Sequence, residues 1–463
     1  VSSRTRLFDH TAFWLILFAL YAITQSAIRV HYKTSFFGDD SELFLWARHL
    51  AWGYGVQPPL YAWLQWGVNQ VFGDGQVAMA AMRALCLFGI YTAAFLLARR
   101  FAPVGLAGLA ALGVFLIPEI SQTFLRTRTH NLLVTALVPL ACIAFLDLLD
   151  HRRKRDYVVF GLASGLAIIA KATGAIFLLA LVIMAAAMPR HRSAMLNPRL
   201  AFTGAVALLV LAGPSLWALA NPELATASLA KFEPGGGWVE GLRGLAWGVW
   251  ASAGFLGTSV ALAAVLTRRN GAEPMNIGVF WGAGAVSILL IAAAIVATDS
   301  AELKERWLVP IAAPLAPLAL VWVMRRTGWM RFFPAALGGF AAVAMLAALP
   351  KYFRENEPLP QADFAALAQA LTAMGADRML MTDDMAAGLA LAVPGIPVEQ
   401  RVDHGALPCT GTILLAAWPH EEIALDRFRA RLPGCDVTEI ASRIVTEGGP
   451  AIDARVVRLA PAG

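Results

Sequence analysis

Nine uncharged or nearly uncharged apolar runs divide the chain, at about 11–30, 77–98, 103–119, 131–149, 201–220, 243–266, 277–298, 307–324 and 333–350. A hydrocarbon layer about 30 Å thick is crossed by roughly 20 residues of apolar helix. Inside it each backbone amide must find its partner within a helix or a closed barrel, so runs of this length dictate membrane helices. Composition agrees, with 58% of the 463 residues hydrophobic, only 15% charged and a mean hydropathy of +0.63. The net charge of +6 does not point to nucleic acid, because Lys and Arg fall in short runs between apolar stretches and form no single basic face.

Charge also sets the parity of crossing. Cytoplasmic loops are enriched in Lys and Arg. Placing Arg4/Arg6, Arg99/Arg100, Arg152 to Arg155, Arg190/Arg192/Arg199, Arg268/Arg269 and Arg325/Arg326/Arg331 on one side forces an even number of crossings between the basic loops at either end of Tyr157 to Met188. That stretch is too long for one straight span, so a short helical hairpin turning near Lys171 to Gly174 is expected. The result is an α-helical polytopic membrane protein of about eleven transmembrane helices, with its N-terminus inside and its C-terminus outside. The run from Thr11 to Ile28 reads as a retained signal anchor.

Two expected domains follow, a transmembrane domain over 1–350 and a soluble one over 351–463, outside the cytoplasm. Within the first outer loop, ELFLWARHLAWGY and PPLYAWLQWGVNQVF carry Trp46, Trp52, Tyr54, Tyr61, Trp63 and Trp66, which suit interfacial helices over 40–72. A later outer loop, 221–241, holds a triple glycine that reads as mobile. After the polar linker KYFRENEPLPQ, the segments QADFAALAQALTAMGA and EEIALDRFRARL read as helices, and RMLMT, GTILLAAW and ARVVRLA as strands, of a small α/β domain. It contains no phosphate-cradling glycine motif. Cys86 and Cys142 lie in apolar runs and read as buried hydrophobes. Cys409 and Cys435 stand in the tail, where a periplasmic location permits a disulfide without requiring one.

Asp39 and Asp40, in FFGDDSELFLW, are adjacent carboxylates just past the outer end of the first span. Such a pair can act as general base or metal ligand. Equally, Asp39 with Glu42 has the spacing of a capping box that opens the next helix. The two readings stand level on local sequence.

The string DDSELFLWARHLAWGYGVQPPLYAWL resembles the first outer loop of GT-C glycosyltransferases of the dolichyl-phosphate-mannose protein mannosyltransferase type. It is similar also to their bacterial relatives, including the aminoarabinose and galacturonic acid lipid A transferases. Asp39 and Asp40 take the acidic pair, Gly53-Tyr54 the Gly-Tyr, and Pro58-Pro59-Leu60 the following turn. Further matches are Thr129-His130, Lys171, and Lys304-Glu305-Arg306-Trp307 running into Pro310 and Pro314. The pair is Asp-Asp where the family more often has Asp-Glu, and Val56-Gln57 stands where relatives place Asp-His or Glu-Lys.

The resemblance implies transfer of a sugar from a polyprenyl phosphate in the outer leaflet, with Asp39 and Asp40 as catalytic candidates. A divalent ion held by Asp39, Asp40 and Glu42 stays open, since the turn before Pro58 lacks a ligand unless Gln57 supplies one. Substrate-binding candidates are Lys171, Lys304, Arg306, Arg126, Arg128, His130, Tyr54 and Gln57. Lys171, Lys304 and Arg306 are outward-side cations beside apolar helix ends, expected to share one anion. Arg126, Arg128 and His130 sit on an outer loop against the positive-inside trend, which suggests anion contact. Arg83, inside the second span, suits a structural ion pair or substrate equally. The expected function is therefore an inner-membrane glycosyltransferase using a polyprenyl-phosphate-sugar donor. Its acceptor would be lipid A, core oligosaccharide, another envelope glycan or protein. The alternatives are a transporter or flippase of a lipid-linked or anionic solute, which the lack of an evident internal repeat disfavours, and a non-catalytic envelope protein that binds lipid-linked sugar.

Overall fold

The computed structural model describes residues 7–32, 36, 38–123, 129–226, 237–266, 275, 277–301, 303–326, 333–356, 363–381, 383–393, 398–400, 409–417, 425, 429, 432, 434–446 and 452–461. Every segment expected to span is helical. In chain order, with the two outer-loop helices and one short connector included, these are α1 (Thr11–Tyr32), α2 (Asp39–Trp46), α3 (Leu60–Phe72), α4 (Gln76–Arg99) and α5 (Val104–Leu112), then α6 (His130–His151), α7 (Lys154–Ala170), α8 (Gly174–Ala187), α9 (Pro189–Met195) and α10 (Leu200–Ala220). They continue with α11 (Trp238–Leu266), α12 (Gly278–Thr298), α13 (Val309–Arg326) and α14 (Phe333–Asn356). Among the described residues six helices are long and apolar enough to cross a bilayer, or seven if α8 and α9, bent by 114°, form one broken span.

The hairpin turn falls where charge parity put it: α7 ends at Ala170, Lys171 N–H donates to the Ala167 carbonyl at 3.2 Å, and Gly174 N–H returns to Lys171 O at 3.0 Å. The run 103–119 is less regular than expected. After α5 it tightens to a 3₁₀ turn, Gly113–Leu116, and then widens to a π turn, Glu119–Thr123. Pro118 between them has no N–H to continue an α-helical ladder. The triple-glycine segment, and much of the expected helix over 421–432, lie outside the described residues.

The chain divides into two compact units, one of residues 1–28, 51–64 and 80–350, the other of 29–50, 65–79 and 351–463. In the first, small residues let helices approach. Gly161 and Gly165 form a GxxxG face on α7, and a Cβ on Gly161 would lie 2.5 Å from the Thr203 carbonyl oxygen of α10. No residue of α10 is buried, and Leu208, Leu209, Leu216 and Leu219 point outward, as a lipid-facing helix requires. Trp14, Phe18, Tyr91 and Phe95 are buried between α1 and α4, with Tyr91 stacked on Phe115 at 4.4 Å.

The second unit holds a five-stranded sheet, β1 (Arg378–Met381), β2 (Val398–Gln400), β3 (Thr412–Ala417), β4 (Cys435–Val445) and β5 (Ile452–Pro461), in the order β2-β1-β3-β5-β4. β1 is parallel to β2 and β3, and β5 is antiparallel to β3 and β4. Leu380, Ile413, Leu415, Val457 and Leu459 fill its core. Helix α15 (Phe364–Thr372) is capped by the Asp363 carboxylate, which accepts from Ala365 N–H and Ala366 N–H at 3.0 Å each. Helix α16 (Asp383–Ala392) packs on α2 as well as on α15. Cys409 and Cys435 are disulfide-bonded, with Cα atoms 5.2 Å apart.

Candidate active site

Helix α2 begins on Gly38, whose φ of 58° with ψ of −129° suits a residue without Cβ. Its carbonyl accepts from Ser41 N–H at 3.0 Å and Glu42 N–H at 3.3 Å, which makes Gly38 the N-cap and Asp39 the first helical residue. The capping-box reading of Asp39 with Glu42 is thereby corrected: the cap position is glycine, so Asp39 is not needed there. Asp39, Asp40 and Glu42 all occupy the first turn, where the helix dipole favours negative charge.

The two aspartates then diverge. Asp40 is 2% exposed and pairs with Arg29 near the end of α1, itself 2% exposed. Asp39 remains partly open. Among the described residues no group of three His, Cys, Asp or Glu side chains is placed to hold a metal ion. With Asp40 held by a guanidinium, the set Asp39, Asp40 and Glu42 does not fit a resident divalent cation.

In the first unit, the aromatic stretch of the outer loop is locked by its own backbone. Ala51 N–H donates to the Tyr54 hydroxyl at 2.9 Å, and the Trp63 indole N–H donates to Ala51 O at 2.6 Å. Tyr54 is 6% exposed, so it shapes the loop. A Cβ on Gly53 would overlap the Trp217 ring at 2.1 Å, which explains why glycine precedes Tyr54. Pro58 and Pro59 then turn the chain into α3, leaving Gln57 half-exposed. Of the aromatic residues expected at an interface, Trp46 and Tyr61 are buried while Trp52 is exposed.

His130 opens α6, buried, with its Nδ1 3.1 Å from the Thr129 hydroxyl and its ring 5.5 Å from that of Tyr61. Lys171 lies near enough to act on it electrostatically. Thus Tyr61, His130 and Lys171 lie near one another. Arg83 is buried on α4, one turn before Cys86. Lys304, which precedes the 3₁₀ turn Glu305–Trp307, and Arg306 within it are half-exposed; the turn leads into α13 and packs on α11. Arg126 and Arg128 lie outside the described residues. Sequence reasoning passed over Arg29 and Asn131; the signal for Arg29 was a charge near the end of an otherwise apolar span.

Residues 56–217 match the family profile described as dolichyl-phosphate-mannose-protein mannosyltransferase. The whole chain has the fold of ArnT from Cupriavidus metallidurans bound to undecaprenyl phosphate, with a TM-score of 0.64 at 14% identity over 96% of this chain and 98% of that one. The chain carries a GT-C glycosyltransferase domain. It is a multi-pass membrane protein of that type, homologous to lipopolysaccharide core galacturonosyltransferases of Rhizobium johnstonii. RgtB is 28% identical over 83% of this chain and 82% of its own length, and RgtA 26% identical over 83% and 81%. The GT-C profile takes in Gln57, Arg83, His130 and Lys171 but begins after Asp39 and ends before Lys304. The assignment of the aspartates therefore leans on the geometry of α2.

Proposed function

We propose that the protein is an inner-membrane glycosyltransferase that moves a galacturonosyl group from a polyprenyl-phosphate donor to a hydroxyl of the lipopolysaccharide core. The observation that carries this reading is similarity to a lipopolysaccharide core galacturonosyltransferase across 83% of this chain and 82% of that protein. The acceptor hydroxyl attacks the anomeric carbon in line, the carbon–oxygen bond to phosphate breaks, and polyprenyl phosphate leaves. Asp39, partly open at the head of α2, takes the hydroxyl proton. Asp40, tied to Arg29, fixes the helix that presents it. Lys304 and Arg306 neutralise the phosphate as its charge grows, with Gln57 donating a neutral hydrogen bond. Arg126 and Arg128 meet anionic groups of the acceptor.

On this reading eleven helical segments cross the membrane, the C-terminus lies outside, and the domain over 351–463 is periplasmic. The disulfide between Cys409 and Cys435 supports that placement, because such bonds persist in oxidising compartments. Incubating the purified protein with radiolabelled polyprenyl-phosphate galacturonate and core oligosaccharide tests the function. Transfer of label with release of polyprenyl phosphate is expected. Folded protein that releases none from any lipid-linked sugar would refute it.

A further inference from the structure

Side-chain hydrogen bonds draw one end of α7, α9 and α10 into a single patch. The Tyr157 hydroxyl of α7 donates to the Ala194 carbonyl of α9 at 2.9 Å, and the Thr203 hydroxyl of α10 donates to the Tyr157 carbonyl at 2.8 Å. Arg199, at the head of α10, donates from Nη1 to the Arg152 carbonyl at 2.9 Å, just before α7 begins. Lys154, the first residue of α7, holds its ammonium 4.4 Å from the centre of the Phe202 ring on α10. The two cations therefore bridge the same seam, one from each helix.

The patch carries one sign of charge. Arg153, Lys154, Arg155, Arg190, Arg192 and Arg199 are exposed, and the sequence from 151 to 204 holds one acid, Asp156, which is buried. Asp156 is taken by Arg153 N–H at 2.9 Å and by the Arg155 guanidinium at 3.4 Å. Arg192 folds back onto the Ala186 carbonyl at the end of α8 at 3.2 Å. Lys154 meets an aromatic face and Arg199 a carbonyl, so no acid among the described residues neutralises either charge.

Apolar surface continues straight from these cations. Phe202 on α10 is exposed, as are Val159 and Leu162 on α7, and α10 buries no residue along its length. Helix α9 turns 114° from α8 and so lies across the ends of the spanning helices, with Leu196 just beyond it exposed. Two cations at the head of an apolar seam complement an amphiphile with an anionic head and hydrocarbon chains. A soluble anion would use the cations and leave the seam uncovered, and a zwitterionic lipid would cover the seam without net charge to match.

We infer that Lys154 and Arg199 bind the phosphate of an anionic phospholipid whose chains lie along the α7–α10 seam past Phe202. In the orientation proposed above this site is in the cytoplasmic leaflet, on the face opposite the sugar chemistry, and it stands whether or not the protein transfers galacturonate.

Native mass spectrometry of the full-length protein in detergent, with phosphatidylglycerol and phosphatidylcholine of one chain composition, tests it. The wild type is expected to hold phosphatidylglycerol about 10- to 30-fold more tightly, the scale for two cations beside an anionic head. The double variant Lys154→Gln, Arg199→Gln should lose that preference, while the exchange Lys154→Arg, Arg199→Lys, which keeps both charges, should retain it. If the double variant fails to fold, Lys154→Met, which removes no hydrogen bond, should still lower the preference about 5-fold. The pair Arg268→Gln, Arg269→Gln, on another basic loop, should leave the preference intact. Equal wild-type affinity for the two lipids overturns the site. An equal loss in the Arg268 and Arg269 variant overturns it too, because general positive charge would then suffice. Displacement of the lipid by glycerol phosphate at the same concentration also overturns it, because the seam would then contribute nothing.

Discussion

Asp39 and Asp40 are chemically identical neighbours that differ in what surrounds them. Asp40 is buried against Arg29, whereas Asp39 keeps an open side and does not occupy the N-cap position. Asp39→Asn preserves shape and removes basicity. It should leave a folded protein whose turnover falls by the roughly 10²- to 10⁴-fold expected for a lost general base; wild-type turnover in a sugar-transfer assay would retire the catalytic role. Arg29→Met strands the buried Asp40 carboxylate and should cost about 3 to 5 kcal/mol of stability, whereas replacing both partners by apolar residues should cost much less. Thermal unfolding in detergent compares the two variants, and an equal loss would show that the ion pair is not what matters. The acidic pair itself was legible in the sequence, because two carboxylates at a membrane face are conspicuous. The different surroundings of its two members were not, since the guanidinium that pairs with Asp40 lies 11 residues back on another helix. Sequence grouped Lys171 with Lys304 and Arg306 as outward cations, and its nearness to His130 was not legible because it arises between helices about forty residues apart.

Helix-scale features were read well wherever apolar length carried the signal, and less well where tertiary pairing did. The α7–α8 hairpin followed from basic loops on both sides of a stretch of awkward length. By contrast β4 escaped notice because CDVTEIASRIV shows no apolar alternation. It is an edge strand exposed along most of its length, held by pairing with β5 and shifted in register between Glu439 and Ala441. Helix α2 was expected at the lipid interface, yet six of its eight residues are buried and it packs on α16. Its support therefore comes from the C-terminal segment. A chain lacking residues 351–463 should insert into the membrane but lose turnover, because the helix bearing Asp39 loses its partner; full activity on the native acceptor would dissociate the two. The GxxxG face of α7 makes a second element-scale prediction. Gly161→Val drives a side chain into the α10 backbone and should destabilise the protein by about 1 to 3 kcal/mol. The same change at Gly204, where a Cβ meets nothing within 4 Å, should be nearly silent.

Across the whole molecule, topology and redox chemistry bear on one question from independent directions. The alternation of basic loops, an argument about charge and insertion, gives an odd number of crossings and a C-terminal domain outside. The pairing of Cys409 with Cys435 is an argument about compartment, and it points to the same side. Cys86 and Cys142 are buried free thiols. Protein extracted with an alkylating agent present, denatured and labelled with a mass tag should therefore take up two tags without reductant and four after reduction. A cytoplasmic tail would meet the reducing glutathione pool and show four tags in both cases. Replacing Cys435 with Ser should leave three free thiols and no disulfide, which excludes a pairing that forms only after lysis between other cysteines. Four tags without reductant from cells quenched before lysis would place the tail in the cytoplasm. One crossing would then have to be struck from the count, and the turn at Lys171 would be the first to re-examine, because it alone was introduced to satisfy parity.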